Sequence, residues 1–459
     1  MPEKTLGQRL KSAREALGLT QQALGKPDLT KGFISLLEHD RARPSVLTLE
    51  RLAQRLGKPV SYFLDGSETS VAEKMLGVFG ARGRAELARR RYEPALSTFT
   101  EMRRIAGSQR NADMEMRAVL GVGEALLGLR RLEEAQTMFE EALARGREVK
   151  DALTECRALH GLATVDHRSG RFPRAVEQYK NALAIVPELG GAEPNLHGEI
   201  LLFMGTVLGR MGRMEEALAA YTQARQVFDD ASRPERVGEA LLGLGNVLSN
   251  TGAHNEALVQ YARARALFEQ YEDLQMLSYV RNNLGMLLVQ IGRVREALEH
   301  FAVSLAIKQR LGDTVGESHT LTELARCHFI CHRPDRAKEY AEDALVKSRS
   351  APAADEEARA EIVLGAIALE AGDPDVAYRH LHSAVTHCER SAMMPELVMA
   401  FRQLARLATR QGRYQDAVGY QEKAFQALRG VGPYDVVAAV HLADLMTREA
   451  GVSDTQPSR

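Results

Sequence analysis

The sequence predicts an all-α protein in which a small helical head precedes a stack of about nine helix pairs. The main observation is an alanine that recurs every 40 residues, with one step of 42: Ala95, Ala135, Ala175, Ala217, Ala257, Ala297, Ala337, Ala377 and Ala417. A fixed period of this length is typical of stacked repeats. The chain is 45% hydrophobic and 26% charged, has no Trp, and shows no persistent strand-like alternation, which favours helices throughout.

Each repeat unit is predicted to be two helices joined by a glycine turn. Twelve residues before the alanine every unit has a small residue: Gly83, Gly123, Ala163, Gly205, Gly245, Gly285, Ala325, Gly365 and Ala405. Four residues after it most units have a bulky side chain, as in Phe99, Phe139, Tyr179, Tyr221, Tyr261 and Phe301. Five residues before it six units have a turn glycine: Gly170, Gly212, Gly252, Gly292, Gly372 and Gly412. The spacing therefore predicts a small residue facing a bulky one inside each pair.

This pattern resembles the tetratricopeptide repeat, and the best local match is Leu159–Pro187. The resemblance covers about 75–430 and implies a right-handed superhelical solenoid, with 431–450 as a C-terminal capping helix and 451–459 as a disordered tail. The step of 42 falls where glycines and prolines interrupt the stack, between Pro187 and Pro194. We expect a hinge there.

The head, residues 1–66, is predicted to hold five short helices. The inward face of the first carries Leu6, Leu10, Ala13 and Leu17, and the third and fourth carry Ile34, Leu37, Leu49, Leu52 and Leu56. Thr20 and Thr30 are expected to cap the second and third helices, and Pro27 to stop the second. Pro44 and Ser45 open the fourth helix, and residues 59–64 close the domain. The polar segment after it makes 67–74 a linker.

Charge is distributed unevenly between the head and the body. Residues 1–66 hold eleven Lys and Arg against seven Asp and Glu, a net charge of +4, whereas the rest of the chain carries −5. A basic head on an acidic body suggests that the head contacts a polyanion.

At its central helices the head resembles the phage-repressor-type (Xre-like) helix-turn-helix domain. The matching residues run from Gly18 to Gln22, from Leu29 to Glu38, and over Pro44 and Ser45. The resemblance implies that Thr30–Glu38 is the recognition helix in the DNA major groove, and that Arg14 and Glu38 form a structural ion pair. Only four residues separate Leu24 from Leu29, one fewer than is usual, which predicts a tightened or tilted turn. The alternative is a helical module that serves protein contacts.

The same resemblance assigns roles at the DNA. Gln21 and Thr30 are expected to contact phosphates or bases, Lys31 and Ser35 are expected to reach base edges, and Lys31 can bond guanine acceptors. Gly32 offers backbone approach and Phe33 a contact to a thymine methyl. Arg41 and Arg43 suit the phosphate backbone.

The first helices of the middle repeats carry candidate ligand residues along one face. Positions 18, 14, 11 and 7 before the alanine share a helical face, and there we predict a ligand groove with these members: Phe203, Arg210, Asn246, Asn250, Tyr279, Asn283, Met286, Gln290 and Arg326. Asn side chains can clamp an extended peptide backbone, Arg210 and Arg326 can hold a carboxylate, and the apolar members can form pockets. Asn246 and Asn283 are also explained by the repeat pattern without a ligand.

One cluster raises the question of metal binding: Cys327, His328, Cys331 and His332. Each Cys or His pair is one helical turn apart, a spacing that can present two ligands to a soft metal. His328, however, takes the packing position of Leu208, and His332 that of the turn glycine. We therefore expect no metal or other cofactor. No phosphate loop, nucleophile elbow or HExxH motif is present, so we expect no enzyme.

Together the two parts resemble the cytoplasmic receptor-regulators of the RRNPP type, which bind signalling peptides in the repeat groove. The resemblance implies a cytoplasmic homodimer that reads a palindromic operator in double-stranded DNA, with half-sites about one turn apart. It also implies that a peptide or protein ligand controls the geometry of this dimer. We expect no membrane association, since no apolar run approaches the length of a span. The alternative is a tetratricopeptide adaptor whose head recruits a partner protein or makes only protein contacts.

Overall fold

The computed structural model describes residues 5–42, 44–64, 71–351, 354–391 and 393–428, and within these ranges all regular secondary structure is helical. The predicted capping helix at 431–450 and tail at 451–459 lie outside the described residues, as do positions 65–70 before the repeats. In the described part of the chain no helix is both long enough and apolar enough to span a membrane.

Five helices form the head, as predicted: α1 (Leu6–Ala16), α2 (Gln21–Gly25), α3 (Lys31–Glu38), α4 (Val46–Leu56) and α5 (Val60–Leu64). They enclose a small core whose fully buried members include Leu10, Leu24, Ile34, Leu37, Leu52 and Phe63. Leu17 was expected on the buried face of the first helix, and this is wrong, because its side chain is 54% exposed. Helix α1 ends at Ala16, so Leu17 is its C-cap and leaves the helical register.

Side-chain caps begin the head helices where the sequence predicts them. The Thr20 hydroxyl accepts a hydrogen bond from the N–H of Ala23 at 3.1 Å, and the Thr30 hydroxyl accepts one from Phe33 at 3.2 Å. Ser45 does the same for Thr48. A hydroxyl cap satisfies an N–H that has no partner inside the helix, which fixes the first residue of each helix.

Contacts divide the chain into two compact units, Met1–Gly190 and Gly191–Arg459. The first unit holds three helix pairs after the head: α6 (Val71–Ala88) with α7 (Tyr92–Ser108), α8 (Ala112–Gly128) with α9 (Leu132–Val149), and α10 (Ala152–Arg168) with α11 (Phe172–Ile185). Helix α6 begins inside the predicted linker, four residues before the expected start of the repeats.

The second unit holds six further pairs: α12 (Pro194–Arg210) with α13 (Met214–Asp230), α14 (Pro234–Asn250) with α15 (His254–Gln270), α16 (Leu274–Gln290) with α17 (Val294–Leu311), α18 (Thr314–Ile330) with α19 (Pro334–Ser350), α20 (Ala354–Glu370) with α21 (Pro374–Ser391), and α22 (Met394–Arg410) with α23 (Tyr414–Leu428). The described residues thus contain the nine predicted pairs, each with its recurring alanine on the second helix.

Packing inside the pairs follows the predicted contact of small and bulky residues. The recurring alanines are buried, and in six pairs the bulky side chain four residues later packs on glycine: Phe99, Phe139, Tyr221, Tyr261, Phe301 and Leu381. The ring of Tyr221, for example, lies against Gly205 of its own pair and Gly243 of the next. A Cβ built on Gly243 would come within 2.3 Å of that ring, so any larger residue there forces a shift. The 40-residue period therefore reflects one packing contact that recurs from pair to pair.

The turns within pairs use the left-handed backbone that the glycine pattern predicts. The six turn glycines have φ between 72° and 82°. His332 takes the same position in the seventh pair with φ 56°. It replaces a turn glycine, as expected from the sequence, and accepts the left-handed conformation that glycine adopts at lower cost.

The boundary between the two units falls inside the segment that the sequence identifies as an interruption. A short 3₁₀ helix, Val186–Leu189, follows α11, and both Gly190 and Gly191 have positive φ. Helix α12 then begins at Pro194. The irregular backbone and the division of the chain coincide there, and motion at this point remains a prediction.

Candidate DNA interface and ligand site

The recognition helix α3 presents its first turn to solvent. Lys31 and Gly32 are exposed, Phe33 and Ser35 are half-buried, and Ile34 and Leu37 point into the core. Phe33 packs partly against the core of the head. A Cβ at Gly32 would meet nothing closer than the Thr30 hydroxyl at 4.0 Å, so the fold itself does not require glycine at this exposed position.

A buried ion pair fixes the other end of α3, as the sequence predicts. The Arg14 Nε donates to Glu38 Oε1 at 2.5 Å, and both side chains are buried. Gln21 Nε2 donates to the second carboxylate oxygen at 2.8 Å. Burial raises the pKa of Glu38, but the bonds from Arg14 and Gln21 outweigh it and hold that pKa below its ordinary value. The network ties α1, α2 and α3 together.

A second anchor, which the sequence analysis missed, lies just after α3. The carboxylate of Asp40 accepts hydrogen bonds from the Thr5 hydroxyl and, at 2.8 Å, from the N–H of Gly7. It therefore caps the start of α1. Gly7 packs directly on the carbonyls of Leu37 and Glu38, where a Cβ would clash at 2.4 Å. Asp40 has φ 56°, the kind of left-handed position that Asp tolerates.

The shortened connection between α2 and α3 is held by two arginines of α4. Arg51 Nη1 donates to Asp28 at 2.8 Å, and Arg55 pairs with the same carboxylate. Arg55 also donates to the carbonyls of Leu24 and Gly25 at the end of α2. These bonds satisfy backbone oxygens that a helix end leaves open. The turn is thus stabilised from α4.

The other predicted DNA residues fall into three groups. Arg41 is exposed and follows the C-terminal end of α3. Gln21 is half-buried, and its amide nitrogen is engaged by Glu38. Arg43 lies outside the described residues. The exposed set is therefore Thr30, Lys31, Gly32 and Arg41.

In the second unit, a cavity of about 530 Å³ opens along the first helices of consecutive repeats. Its walls come from α14, α16, α17 and α18, and it is lined by Leu242, Asn246, Tyr279, Asn282, Asn283, Lys308, Asp313, Val315, Gly316 and His319. Three predicted ligand residues, Asn246, Tyr279 and Asn283, thus meet in one place. A cavity of this size accommodates part of a peptide or a small molecule.

Two amides in this cavity are already linked to each other. Asn246 Oδ1 accepts from the Tyr261 hydroxyl at 2.7 Å and from Asn283 Nδ2 at 2.8 Å. Tyr261 is the bulky residue of its own pair, and Thr206 binds the Tyr221 hydroxyl in the same way one pair earlier. The repeat pattern therefore accounts for the amide oxygen of Asn246, which accepts from the tyrosine of its own pair. The Nδ2 group of Asn246 and the Oδ1 atom of Asn283 take part in neither of these two hydrogen bonds.

The remaining predicted ligand residues lie outside this cavity. Phe203 and Met286 are exposed, as are Arg210 and Asn250 at the ends of their helices. Gln290 accepts a long hydrogen bond from Ser249 at 3.4 Å. These residues share the predicted face, but the structure does not gather them into one pocket.

Arg326 departs from its expected role of holding a ligand carboxylate. Its side chain is buried, and Nη1 donates to both oxygens of Glu323, at 3.0 and 3.1 Å. The two residues are three apart on α18, a spacing that favours an ion pair. The chain itself thus supplies a carboxylate to Arg326.

A charged cluster continues beside the cavity. His319 Nδ1 lies 3.2 Å from Glu356, which also accepts from Arg359 at 2.6 Å. Arg359 Nε donates to Glu396 at 2.8 Å. Burial raises the pKa of Glu356, but the contacts with His319 and Arg359 outweigh this effect and hold that pKa below its ordinary value. This cluster escaped the sequence analysis because its members come from three repeats.

The Cys and His residues of the seventh pair serve packing where the structure shows their contacts. His328 stacks on Tyr340 with ring centroids 5.2 Å apart. Cys327 is buried, and burial raises the pKa of its thiol. Among the described residues no group of three or more His, Cys, Asp or Glu side chains is arranged to hold a metal.

Known protein families match both the head and the repeats. A helix-turn-helix family model matches residues 10–63. A tetratricopeptide-repeat model matches residues 115–188, 197–270 and 274–349, and a second one matches 397–430. The chain thus contains a helix-turn-helix domain followed by tetratricopeptide repeats. An immunity repressor of Bacillus phage phi105 is 36% identical over 90 residues, which span 19% of this chain and 61% of the repressor. These matches support a DNA-binding regulator.

Solved structures share the fold of this chain at low sequence identity. Apo RapI has a TM-score of 0.61 at 14% identity, covering 78% of this chain and 98% of RapI. The apo quorum sensor NprR of B. thuringiensis has a TM-score of 0.58 at 12% identity, covering 78% and 99%. A Rap protein complexed with competence and sporulation factor has a TM-score of 0.57 at 14% identity, covering 82% and 99%.

Proposed function

We propose that this protein is a sequence-specific transcriptional regulator whose head binds a palindromic operator as a homodimer and whose repeats sense a peptide or similar ligand that controls dimer geometry. The regulator acts in the cytoplasm and is not an enzyme. The observation that carries the ligand part is the cavity of the second unit, where polar side chains from consecutive first helices line one opening.

The DNA part rests on how the head holds α3. The Thr30 cap fixes the start of this helix and the Arg14–Glu38 ion pair fixes its end, while Lys31 and Gly32 remain exposed on its first turn. A recognition helix reads base edges with its N-terminal residues, so a rigid helix with an exposed first turn suits that task. Arg41 adds a cation for the phosphate backbone.

The ligand part rests on chemistry that suits an extended backbone. Asn246 and Asn283 offer an amide N–H group and an amide oxygen, so together they can donate to a peptide carbonyl and accept from a peptide N–H. A Rap protein that was solved in complex with competence and sporulation factor and the quorum sensor NprR share this fold, which supports ligand sensing by this chain.

Selection from random DNA duplexes tests the first part. We expect the purified protein to enrich a palindrome with half-sites about one helical turn apart. Lys31→Ala should relax the preference at specific bases, whereas Lys338→Ala, at an exposed lysine of α19, should leave the enriched sequence unchanged. If wild-type protein enriches no sequence, the adaptor alternative is favoured.

Native mass spectrometry of protein purified from its own host tests the second part. A peptide bound at one copy per chain supports the proposal, and Asn283→Leu should reduce its occupancy. A stoichiometric protein partner in place of a peptide would contradict ligand sensing and support an adaptor.

A further inference from the structure

The sixth repeat contains a buried lysine at a position that neighbouring repeats fill with phenylalanine. Lys308 lies on α17, eleven residues after its recurring alanine, and Phe228 and Phe268 occupy the corresponding positions of the two preceding pairs. Both phenylalanines are fully buried, and each packs on a glycine of its own first helix. Lys308 is 3% exposed. A cation therefore stands in a core position.

The surroundings of Lys308 are polar, unlike the same layer in those two pairs. Ser278 stands where they have Gly198 and Gly238, and Ser304 donates to the Ser278 carbonyl at 2.9 Å. Asn282 and Thr320 are also buried beside it. Compared with the two preceding pairs, the sixth pair thus has several polar residues around the position of Lys308.

The structure provides Lys308 with one hydrogen-bond partner among the described residues. Nζ donates to Thr320 Oγ1 at 2.8 Å, and no carboxylate lies within ion-pair distance in this part of the chain. Asp313, Glu356 and Glu323 favour the charged form from farther away, against the burial that lowers the pKa of Lys308. Each of the three already has another contact: Asp313 with the Gly316 N–H, Glu356 with Arg359, and Glu323 with Arg326.

Lys308 also lines the cavity that contains Asn246, Tyr279 and Asn283. A buried charge without a contacting counter-ion is costly to the fold. An anion from a ligand in this cavity would remove the cost and form a charge-assisted hydrogen bond.

We propose that Lys308 binds a carboxylate of the ligand, with Thr320 holding its ammonium group and the cavity amides binding adjacent backbone. This inference rests on the proposed sensing function. The carboxylate comes from one of two sources, the C-terminus of a peptide or an acidic side chain. The site assigned here replaces Arg326, which Glu323 already neutralises.

Affinity selection from three pools of short synthetic peptides tests the assignment. The first pool has free C-termini and no Asp or Glu, the second has amidated C-termini and no Asp or Glu, and the third has amidated C-termini with Asp and Glu. We expect wild-type protein to retain peptides from the first pool or the third and none from the second. Retention from the first identifies the terminal carboxylate, and retention from the third identifies a side chain.

Two variants complete the test. Lys308→Met should weaken binding of retained peptides about 10- to 100-fold, as expected for a lost hydrogen bond between charged groups. Lys338→Met removes an exposed lysine and should bind like wild type. Equal retention of the acid-free amidated pool by wild type and Lys308→Met would overturn this inference while leaving peptide sensing intact. Retention of no peptide by wild type would overturn both.

Thermal unfolding without any peptide gives an independent readout. Because methionine suits a position that Phe228 and Phe268 occupy in other pairs, Lys308→Met should raise the unfolding temperature by about 2 °C or more. A lower unfolding temperature for this variant would mean that Lys308 stabilises the fold itself, and the proposed anion site would be wrong.

Discussion

Removing Arg14 tests whether the head depends on the ion pair that fixes its recognition helix. In Arg14→Met the buried carboxylate of Glu38 keeps the bond from Gln21 but loses both bonds from the guanidinium. The carbonyl of Leu19 also loses its donor at 2.7 Å. Breaking a buried pair from one side costs about 3–5 kcal/mol.

This loss is large relative to the stability of so small a domain. At roughly 0.05–0.15 kcal/mol per residue, a head of about 60 residues has a free energy of unfolding of roughly 3–9 kcal/mol. We therefore expect the head of Arg14→Met to be largely or partly unfolded. The repeats should keep their stability, because their cores are separate clusters of buried residues.

Hydrogen exchange measured by mass spectrometry on the full chain is the assay. Peptides from α1 to α5 should lose protection in Arg14→Met, peptides from α12 to α23 should not, and binding to the selected duplex should disappear. The double variant Arg14→Met with Glu38→Leu removes the uncompensated charge and should recover most of the protection. A loss below about 1 kcal/mol in the single variant, or no recovery in the double variant, would refute the reasoning.

Two further predictions concern packing and pH. Gly243→Ala should destabilise the second unit by up to about 2 kcal/mol, since overpacking against Tyr221 at 2.3 Å outweighs the gain in helix propensity. Gly209→Ala, where a Cβ meets nothing within 4 Å, should be neutral or stabilising, and urea unfolding of both variants checks the difference. Because the pKa of Glu38 is lower in the folded head than in the unfolded chain, its stabilising contribution is present above about pH 4.5 and is lost as the pH falls through the folded value. Melting from pH 7 to pH 3 should show this decline in wild type and a flatter curve in Glu38→Gln.

The repeats were predictable because their signals are local and recur in most of the nine units. The glycine turns, the buried alanines and the contact between small and bulky residues follow from spacing alone, and His332 adopts the turn conformation that its position implies. Leu17 was misplaced because helical periodicity does not say where a helix ends. Thr20 was correctly predicted as the cap at which α2 begins, but the residues between Ala16 and Thr20 no longer follow the helical periodicity of α1.

The sites were predictable only in part, because their contacts join distant residues. The Arg14–Glu38 pair came from the resemblance, whereas the bonds of Asp28 with Arg55 and of Asp40 with Gly7 appear only when helices pack. The pairing of Arg326 with Glu323 was visible in the sequence as a spacing of three. Lys308 could also have been noticed in the sequence. At the position eleven residues after the recurring alanine, where Phe228 and Phe268 stand, it is the only lysine among the nine units.

The central claim is that ligand in the repeats controls DNA binding by the head. The most direct test measures the affinity of wild-type protein for its selected duplex by fluorescence anisotropy, with and without the small-molecule fraction released from protein purified from its host. We predict that the fraction changes the dissociation constant at least about tenfold, equivalent to about 1.4 kcal/mol, and that Lys308→Met abolishes the change. An unchanged dissociation constant, with the released fraction shown to rebind, would contradict the account.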